Sequence, residues 1–146
     1  MKRLCFLFIS LFVIGCSDFN PIESEGDCGG CGFEITSPLP KTDGVYELEY
    51  NDNLAQTYST LSCATGCGWG EHIQWESDYK YRTSPNDGWT SLVNPASMTD
   101  EFGEGKIVFA VWEAFIGKTI TIYGGYFDDC GNQHIDSVKV LVVNNE

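Results

Sequence analysis

Basic residues are scarce in this sequence. Eight lysines and arginines stand against 21 aspartates and glutamates, which gives a formal net charge of −13 at pH 7. Proteins that bind nucleic acids need basic patches against the phosphates, so this composition argues against a nucleic-acid-binding protein. The same argument excludes electrostatic docking on an anionic lipid surface. We attribute the acidic excess to the solubility of an exposed protein rather than to the attraction of basic ligands.

The sequence also lacks the short motifs that mark common catalytic sites. It contains no G-x-S-x-G elbow, no H-E-x-x-H and no P-loop, and its two histidines are His72 and His134. Carboxylates are plentiful, but no pair stands out as an acid–base couple. The sequence therefore predicts a protein that is not an enzyme and that uses no cofactor.

Long apolar runs are missing except near the N-terminus. There, Leu4 to Ile14 forms an almost continuous apolar run of 11 residues that follows Lys2 and Arg3. This length suits the hydrophobic region of a signal peptide, whereas a membrane-spanning helix takes about 20 residues. We predict a signal peptide over residues 1–15, a flexible acidic tether over 16–33, and one domain over 34–146.

The apolar run ends in the letters VIGC, which resemble the lipobox of bacterial lipoproteins. The resemblance implies that Cys16 becomes the lipidated first residue of the mature chain, anchored in the outer membrane by acyl chains such as palmitate. Ser17 follows instead of the aspartate that retains enteric lipoproteins in the inner membrane. The acidic residues after it resemble the surface-export signal of Bacteroidetes lipoproteins, but a solvated tether has the same composition. Cell surface and periplasmic face are therefore both open.

The predicted domain shows no helical periodicity, and its residues indicate an all-β fold. Aromatic and β-branched residues are frequent, and Gly, Pro, Asn or Asp recur about every ten residues, as in sandwiches and barrels. Residues 45–50 alternate, with Tyr46, Leu48 and Tyr50 on one face. Residues 106–112 predict a buried strand. In the last two strands we expect a slip near Ser137, interpreted as a bulge, and these inward residues: Ile120, Ile122, Ile135, Val138, Val140 and Val142.

The C-terminal pattern resembles bacterial immunoglobulin-like domains of the PKD-related type. Asp128, Gly131 and Asn132 match the last hairpin of such domains, and the letters VKVLVV match the final strand. Trp75 stands 12 positions after Cys63, where a strand-C tryptophan would follow strand B. The resemblance implies a single immunoglobulin-like β-sandwich in which the start of the first strand, the B–C loop and the F–G loop lie at one end.

Five cysteines follow Cys16, and the sandwich would bring them to one end: Cys28, Cys31, Cys63, Cys67 and Cys130. Thiols oxidise outside the cytoplasm, so all five are candidates for disulfides, although two bridges leave one cysteine over and the pairing stays open. One alternative is a metal site, for which the candidates are Cys63, Cys67, Cys130, His72 and His134. Another is a redox site at the C-x-x-C formed by Cys28 and Cys31. With either a metal site or a redox site, the chain would be a small metal- or thiol-dependent protein of the cell envelope.

Two tryptophans are candidates for ligand contact. Trp69 lies in a loop between glycines, and Trp89 follows the turn SPNDG. An exposed aromatic side chain on a rigid loop can stack on a sugar ring or anchor a protein partner. We therefore expect a non-catalytic binding or accessory module of the cell envelope, with a protein or a glycan as its ligand.

Overall fold

The structure, a computed structural model, describes residues 32–66, 70–82 and 84–145. The predicted signal peptide, Cys16 and nearly all of the tether lie outside the described residues, as do Cys28, Cys31, Cys67 and Trp69. Within the described ranges, no helix has the length and the apolar character needed to cross a bilayer.

The described chain folds almost entirely into β-strands, with one short 3-10 helix at Glu113–Phe115. The strands are β1 (Phe33–Thr36), β2 (Lys41–Thr42), β3 (Val45–Tyr50), β4 (Thr57–Thr65), β5 (His72–Ser77), β6 (Lys80–Tyr81), β7 (Thr90–Ser91), β8 (Ala96–Met98), β9 (Glu104–Val111), β10 (Thr119–Phe127) and β11 (Gln133–Asn144). Because β1 begins at Phe33, the last residue assigned to the tether already belongs to the folded domain.

The strands form two sheets that pack face to face around one core. A three-stranded sheet has the order β1-β4-β9, and a six-stranded sheet has the order β2-β3-β11-β10-β5-β8, with β3 parallel to β11. The hairpin β6–β7 stands apart. The prediction of an all-β sandwich is confirmed.

Period-two alternation sends one set of side chains from each strand into the core. Tyr46, Leu48 and Tyr50 are buried, as the sequence predicts. Trp75 is buried too, and its indole N–H donates a hydrogen bond to Ser97 Oγ at 2.8 Å. Its ring packs over Gly124, where an added Cβ would lie 2.8 Å from the ring, so only glycine leaves room for the tryptophan.

The predicted bulge near Ser137 is wrong. The β10–β11 register runs without interruption from Thr119 opposite Leu141 to Phe127 opposite Gln133. An uninterrupted register keeps the even-numbered valines of β11 inside and turns the odd-numbered positions outward. Ile135, predicted to face inward, is therefore 60% exposed.

The strand predicted as buried over residues 106–112 is half-buried instead. Ile107, Phe109 and Val111 face the core, whereas Lys106 and Val108 face solvent. The reason is that the three-stranded sheet is covered on one side only. Its strands therefore follow the alternation of a one-sided sheet rather than that of a sheet buried on both faces.

Candidate functional site

The ends of several strands meet at one end of the sandwich, which we call the cysteine pole and define by Gly32, Gly66, Glu71, Asp128 and Cys130. The N–H of Gly66 donates to the carbonyl of Gly32 at 2.9 Å, which joins the start of β1 to the end of β4. Glu71, just before β5, lies close enough to the β10–β11 hairpin to feel the charges of Asp128 and Asp129. The start of β1, the end of β4 and the β10–β11 hairpin thus lie at one end of the sandwich.

Cys63 does not belong to this pole, and its candidacy as a disulfide partner is wrong. It carries a free thiol that is 2% exposed, on the inner side of β4. An added Cβ on Gly105 of the neighbouring strand would lie 3.0 Å from its sulfur, which shows how tightly the thiol is packed. Burial raises the pKa of the Cys63 thiol, so it stays protonated and unreactive.

Cys130 lies at the tip of the hairpin between β10 and β11 and is disulfide-bonded. Since Cys63 is a free thiol, the two described cysteines are not bonded to each other. Cys63 lies in the core and acts there as a small apolar side chain.

Asp128 organises the hairpin that carries Cys130. Its Oδ1 accepts hydrogen bonds from the backbone N–H groups of Cys130 at 3.0 Å and Asn132 at 2.8 Å. Its Oδ2 accepts one from Asn132 Nδ2 at 3.1 Å and lies 2.9 Å from His134 Nε2. These contacts lower the pKa of Asp128 to about 2, and the contact with His134 has the largest effect. The carboxylate is thus fully engaged in the turn.

Negative charge is concentrated around this hairpin. Burial, and then the charges of Asp129 and Asp128, raise the pKa of Glu71. The pKa of Tyr126 is raised too, first by burial and then by the charges of Glu71 and Asp128. Its buried hydroxyl has no hydrogen-bond partner among the described residues. The Tyr126 ring stacks on His134, with centroids 4.9 Å apart, and it also packs against Phe33.

The metal-site candidates that the structure describes are not brought together. His72 points outward from β5, His134 is bound to Asp128, and Cys63 is inside the core. Across the three described ranges, no group of three or more His, Cys, Asp or Glu side chains is placed to hold a metal ion. Of the remaining candidates, Cys67 lies outside the described residues and Cys130 is disulfide-bonded.

A patch of exposed apolar side chains covers the outer side of the six-stranded sheet next to the cysteine pole. We call it the apolar face, and its four members are Met98, Tyr123, Phe127 and Ile135, which are 65%, 43%, 59% and 60% exposed. They come from three strands, and the register aligns them with polar neighbours on the same side of the sheet. His72 lies opposite Met98, and Gln133 lies opposite Phe127.

Gly125 forms the floor of a groove of about 210 Å³ in the middle of this face. It lies between Tyr123 and Phe127 along β10 and between Gln74 and Ile135 across the sheet. An added Cβ would lie 2.8 Å from the carbonyl oxygen of His134 and 3.2 Å from Ile135 Cγ1. The missing side chain is thus what makes the groove, and Ile135 packs into the space it leaves.

The lining of the groove is almost free of unbalanced charge. Among its described residues the one carboxylate is Glu76, and its Oε1 lies 2.6 Å from Lys80 Nζ. Gln74 and Gln133 add exposed amides, and His72 adds an imidazole ring. The groove therefore offers apolar walls and neutral hydrogen-bonding groups.

Trp89, one of the two predicted ligand contacts, does not line this groove and lies in the loop between β6 and β7. It is 64% exposed, and the guanidinium of Arg82 lies 4.9 Å from its ring centre. Trp69, the other prediction, lies outside the described residues. The structure thus leaves Trp89 as a separate exposed ring and does not join it to the apolar face.

The apolar face does not follow from the sequence once a bulge near Ser137 is assumed, because that bulge turns Ile135 inward. One signal was available in the letters YGGYF, where Tyr123 and Phe127 share a face with Gly125 if the alternation of β10 is kept. The chain matches no protein-family model and none of the curated proteins.

Proposed function

We propose that this chain is a lipid-anchored envelope protein of the outer membrane that binds a protein or glycan ligand without catalysis, through the apolar face. The observation that carries the proposal is the exposure of Tyr123, Phe127 and Ile135 together on one sheet, with Met98 two strands away on the same side. Soluble proteins seldom leave several large apolar side chains exposed together unless the patch meets a partner. Aromatic residues and methionine are also enriched where proteins bind, and charges are depleted there.

The lipobox supports the anchoring part of the proposal. Sixteen residues separate Cys16 from Phe33, so an extended tether would reach no more than about 60 Å. Gly32 belongs to the cysteine pole, so the tether enters the domain at that end. A module held in this way would present the apolar face close to its point of attachment.

Disulfides are the third part of the proposal. With Cys63 free, four cysteines remain for two bridges: Cys28, Cys31, Cys67 and Cys130. Gly32 and Gly66, the described neighbours of Cys31 and Cys67, are joined by a hydrogen bond, and Cys130 is disulfide-bonded. Thiol titration of the unreduced, denatured mature chain should find one thiol, and peptide mapping should assign it to Cys63. Labelling of Cys130 as a free thiol would contradict the proposal.

Photo-cross-linking in intact cells tests the binding function. A photoreactive benzoylphenylalanine is placed at Gln74 in the groove or, as a matched control, at the exposed Ala64 on the outer side of β4. We expect discrete adducts of higher mass from position 74 and none from position 64. Equal yields from both positions, or none from position 74, would contradict the assignment of the binding surface.

Lipidation is tested separately. The parent chain should incorporate radiolabelled palmitate and sediment with the outer membrane, whereas Cys16→Ser should lose the label. Label retained by Cys16→Ser would refute the anchoring part and leave the binding part standing.

A further inference from the structure

We propose that the groove over Gly125 binds a neutral oligosaccharide. This inference rests on the proposed function and names the ligand class of the same surface. It is argued from three properties of the groove, namely its shape, its hydrogen-bonding groups and its charge.

The shape of the groove suits a ring-shaped ligand. Tyr123 and Phe127 stand on either side of Gly125 on the same strand, with their Cα atoms about 13 Å apart, the rise of four strand residues. Side chains of a strand stand roughly perpendicular to the sheet, so the two rings form walls and the glycine forms a floor. A pyranose ring entering this space can place its C–H faces against aromatic rings, which supply apolar contact with little loss of side-chain freedom.

The polar groups of the groove suit a ligand rich in hydroxyl groups. Gln74 lies directly opposite Gly125, and Gln133 lies opposite Phe127. Each amide offers donors and an acceptor at once, and the His72 ring adds one of each in its neutral form. A hydroxyl group, which also donates and accepts, is matched by such groups better than a purely anionic or cationic ligand would be.

The charge around the groove favours a neutral ligand. Glu76 is balanced by Lys80, and the chain as a whole carries a formal charge of −13. An acidic polysaccharide would be repelled by this net charge, and the described lining contains no lysine or arginine to attract it.

A large protein partner fits these observations less well. A stable protein interface covers about 800 Å² on each partner and is least polar at its centre. Here the centre of the face is a groove with amides beside it, and the apolar side chains lie around that groove. We therefore argue for the oligosaccharide and treat a protein ligand as an outcome of the test.

Affinity electrophoresis tests the inference. The purified full-length chain, in a non-ionic detergent without sugar groups, is run in native gels that contain one polysaccharide each. Starch, laminarin, yeast mannan, galactomannan and xyloglucan are the neutral probes, and polygalacturonate is the acidic one. We expect retardation by at least one neutral probe and none by polygalacturonate.

Two variants and a matched control locate the site. Tyr123→Ala and Phe127→Ala should each weaken the affinity for the retarding probe by about tenfold, since each removes one wall of the groove. Tyr58→Ala removes a tyrosine that is 59% exposed on the outer side of the other sheet, and its affinity should stay within about twofold of the parent's. Circular dichroism and thermal unfolding of all three variants show whether each is folded.

Several results would overturn the inference. They are retardation by none of the neutral probes, stronger retardation by polygalacturonate, or equal losses in folded Tyr58→Ala and Tyr123→Ala. If cross-linking from position 74 yields a protein adduct while no neutral probe retards the chain, the binding function stands and the oligosaccharide is refuted. If position 74 yields no adduct in cells although a neutral probe binds at the groove, the oligosaccharide stands as a ligand and the proposed cellular role falls.

Discussion

The two sheets of this sandwich share one core but differ in what they present to solvent. On the outer side of the three-stranded sheet the exposed positions of β4 and β9 include small, polar and charged residues, among them Ala64, Glu104 and Lys106. One exposed apolar pair lies there among the described residues, since Tyr58, which pairs with Ala110, is a diagonal neighbour of Val108. On the outer side of the six-stranded sheet next to the cysteine pole, Tyr123, Phe127 and Ile135 lie together.

The difference teaches that exposure of a single apolar residue says little, whereas its neighbours say a great deal. Val108 is 48% exposed, stands opposite Thr60 and has one aromatic diagonal neighbour, Tyr58. Ile135 is 60% exposed, stands opposite Gly125, and is flanked by two aromatic rings on β10. Scattered apolar residues are normal on protein surfaces, but a contiguous patch indicates a contact surface. The predictions below test whether the two outer faces differ as this account requires.

The largest effect is expected from Gly125→Ala, which fills the floor of the groove. The new Cβ would meet the backbone carbonyl oxygen of His134 at 2.8 Å, and backbone cannot move aside as a side chain can. We expect a loss of about 1–3 kcal/mol in the free energy of unfolding, the usual range for overpacking. Urea unfolding measures it.

Ala110→Val is the matched control for this substitution, because Ala110 faces outward on β9. Its free energy of unfolding should stay within about 0.5 kcal/mol of the parent value, as is usual on a surface. Equal losses in Gly125→Ala and Ala110→Val would mean that the groove is not a constrained feature of the six-stranded sheet.

Acid should act on the hairpin that borders the apolar face. The pKa of Asp128 is lowered from 3.8 to about 2 in the folded chain, so the ionised carboxylate stabilises the fold. This contribution is fully present above about pH 4, the ordinary pKa of an aspartate, and is lost as the pH falls through about 2. Asp128→Asn should therefore be less stable than the parent at pH 7, and the difference should shrink between pH 4 and pH 2.

Chemical denaturation at a series of pH values measures this difference. A gap between Asp128→Asn and the parent that stays constant from pH 7 to pH 2 would show that the ionised carboxylate does not hold the hairpin.

The smallest effect on stability, and the cleanest contrast between the faces, is expected from Ile135→Lys and Val108→Lys. Both replace an exposed aliphatic residue on a strand, so both should change the free energy of unfolding by less than about 0.5 kcal/mol. The fluorescence of an apolar dye such as ANS should fall in Ile135→Lys, because the patch is broken, and stay at the parent level in Val108→Lys. A fall of the same size in both variants would remove the distinction between the two faces.

Much of the fold could be predicted from the sequence because alternation is a local property. The inward residues of β3 and the burial of Trp75 follow directly from period two and from side-chain size. The orientation of Ile135 could not be obtained in this way, because it depends on the register between β10 and β11. One assumed bulge reverses every side chain beyond it.

The candidate site was harder to predict than the fold for a related reason. Motif reasoning pointed to cysteines and tryptophans, which are distinctive residue types. The apolar face consists of ordinary residues from three strands, and only sheet pairing brings Met98, Tyr123 and Ile135 to one surface. Cys63 shows the converse, since it belongs to a cysteine-rich motif in sequence yet lies in the core.

Hydroxyl-radical footprinting of the chain in intact cells tests the central claim most directly. The oxidation rates of Met98, Tyr123 and Phe127 are compared with that of Tyr58, first in the purified chain and then in its native envelope. The account predicts that the three residues of the apolar face are protected in the envelope relative to the purified chain, whereas Tyr58 is oxidised equally in both. Equal protection of Tyr58 and Tyr123, or no protection of either, would contradict the claim that the apolar face is the binding surface.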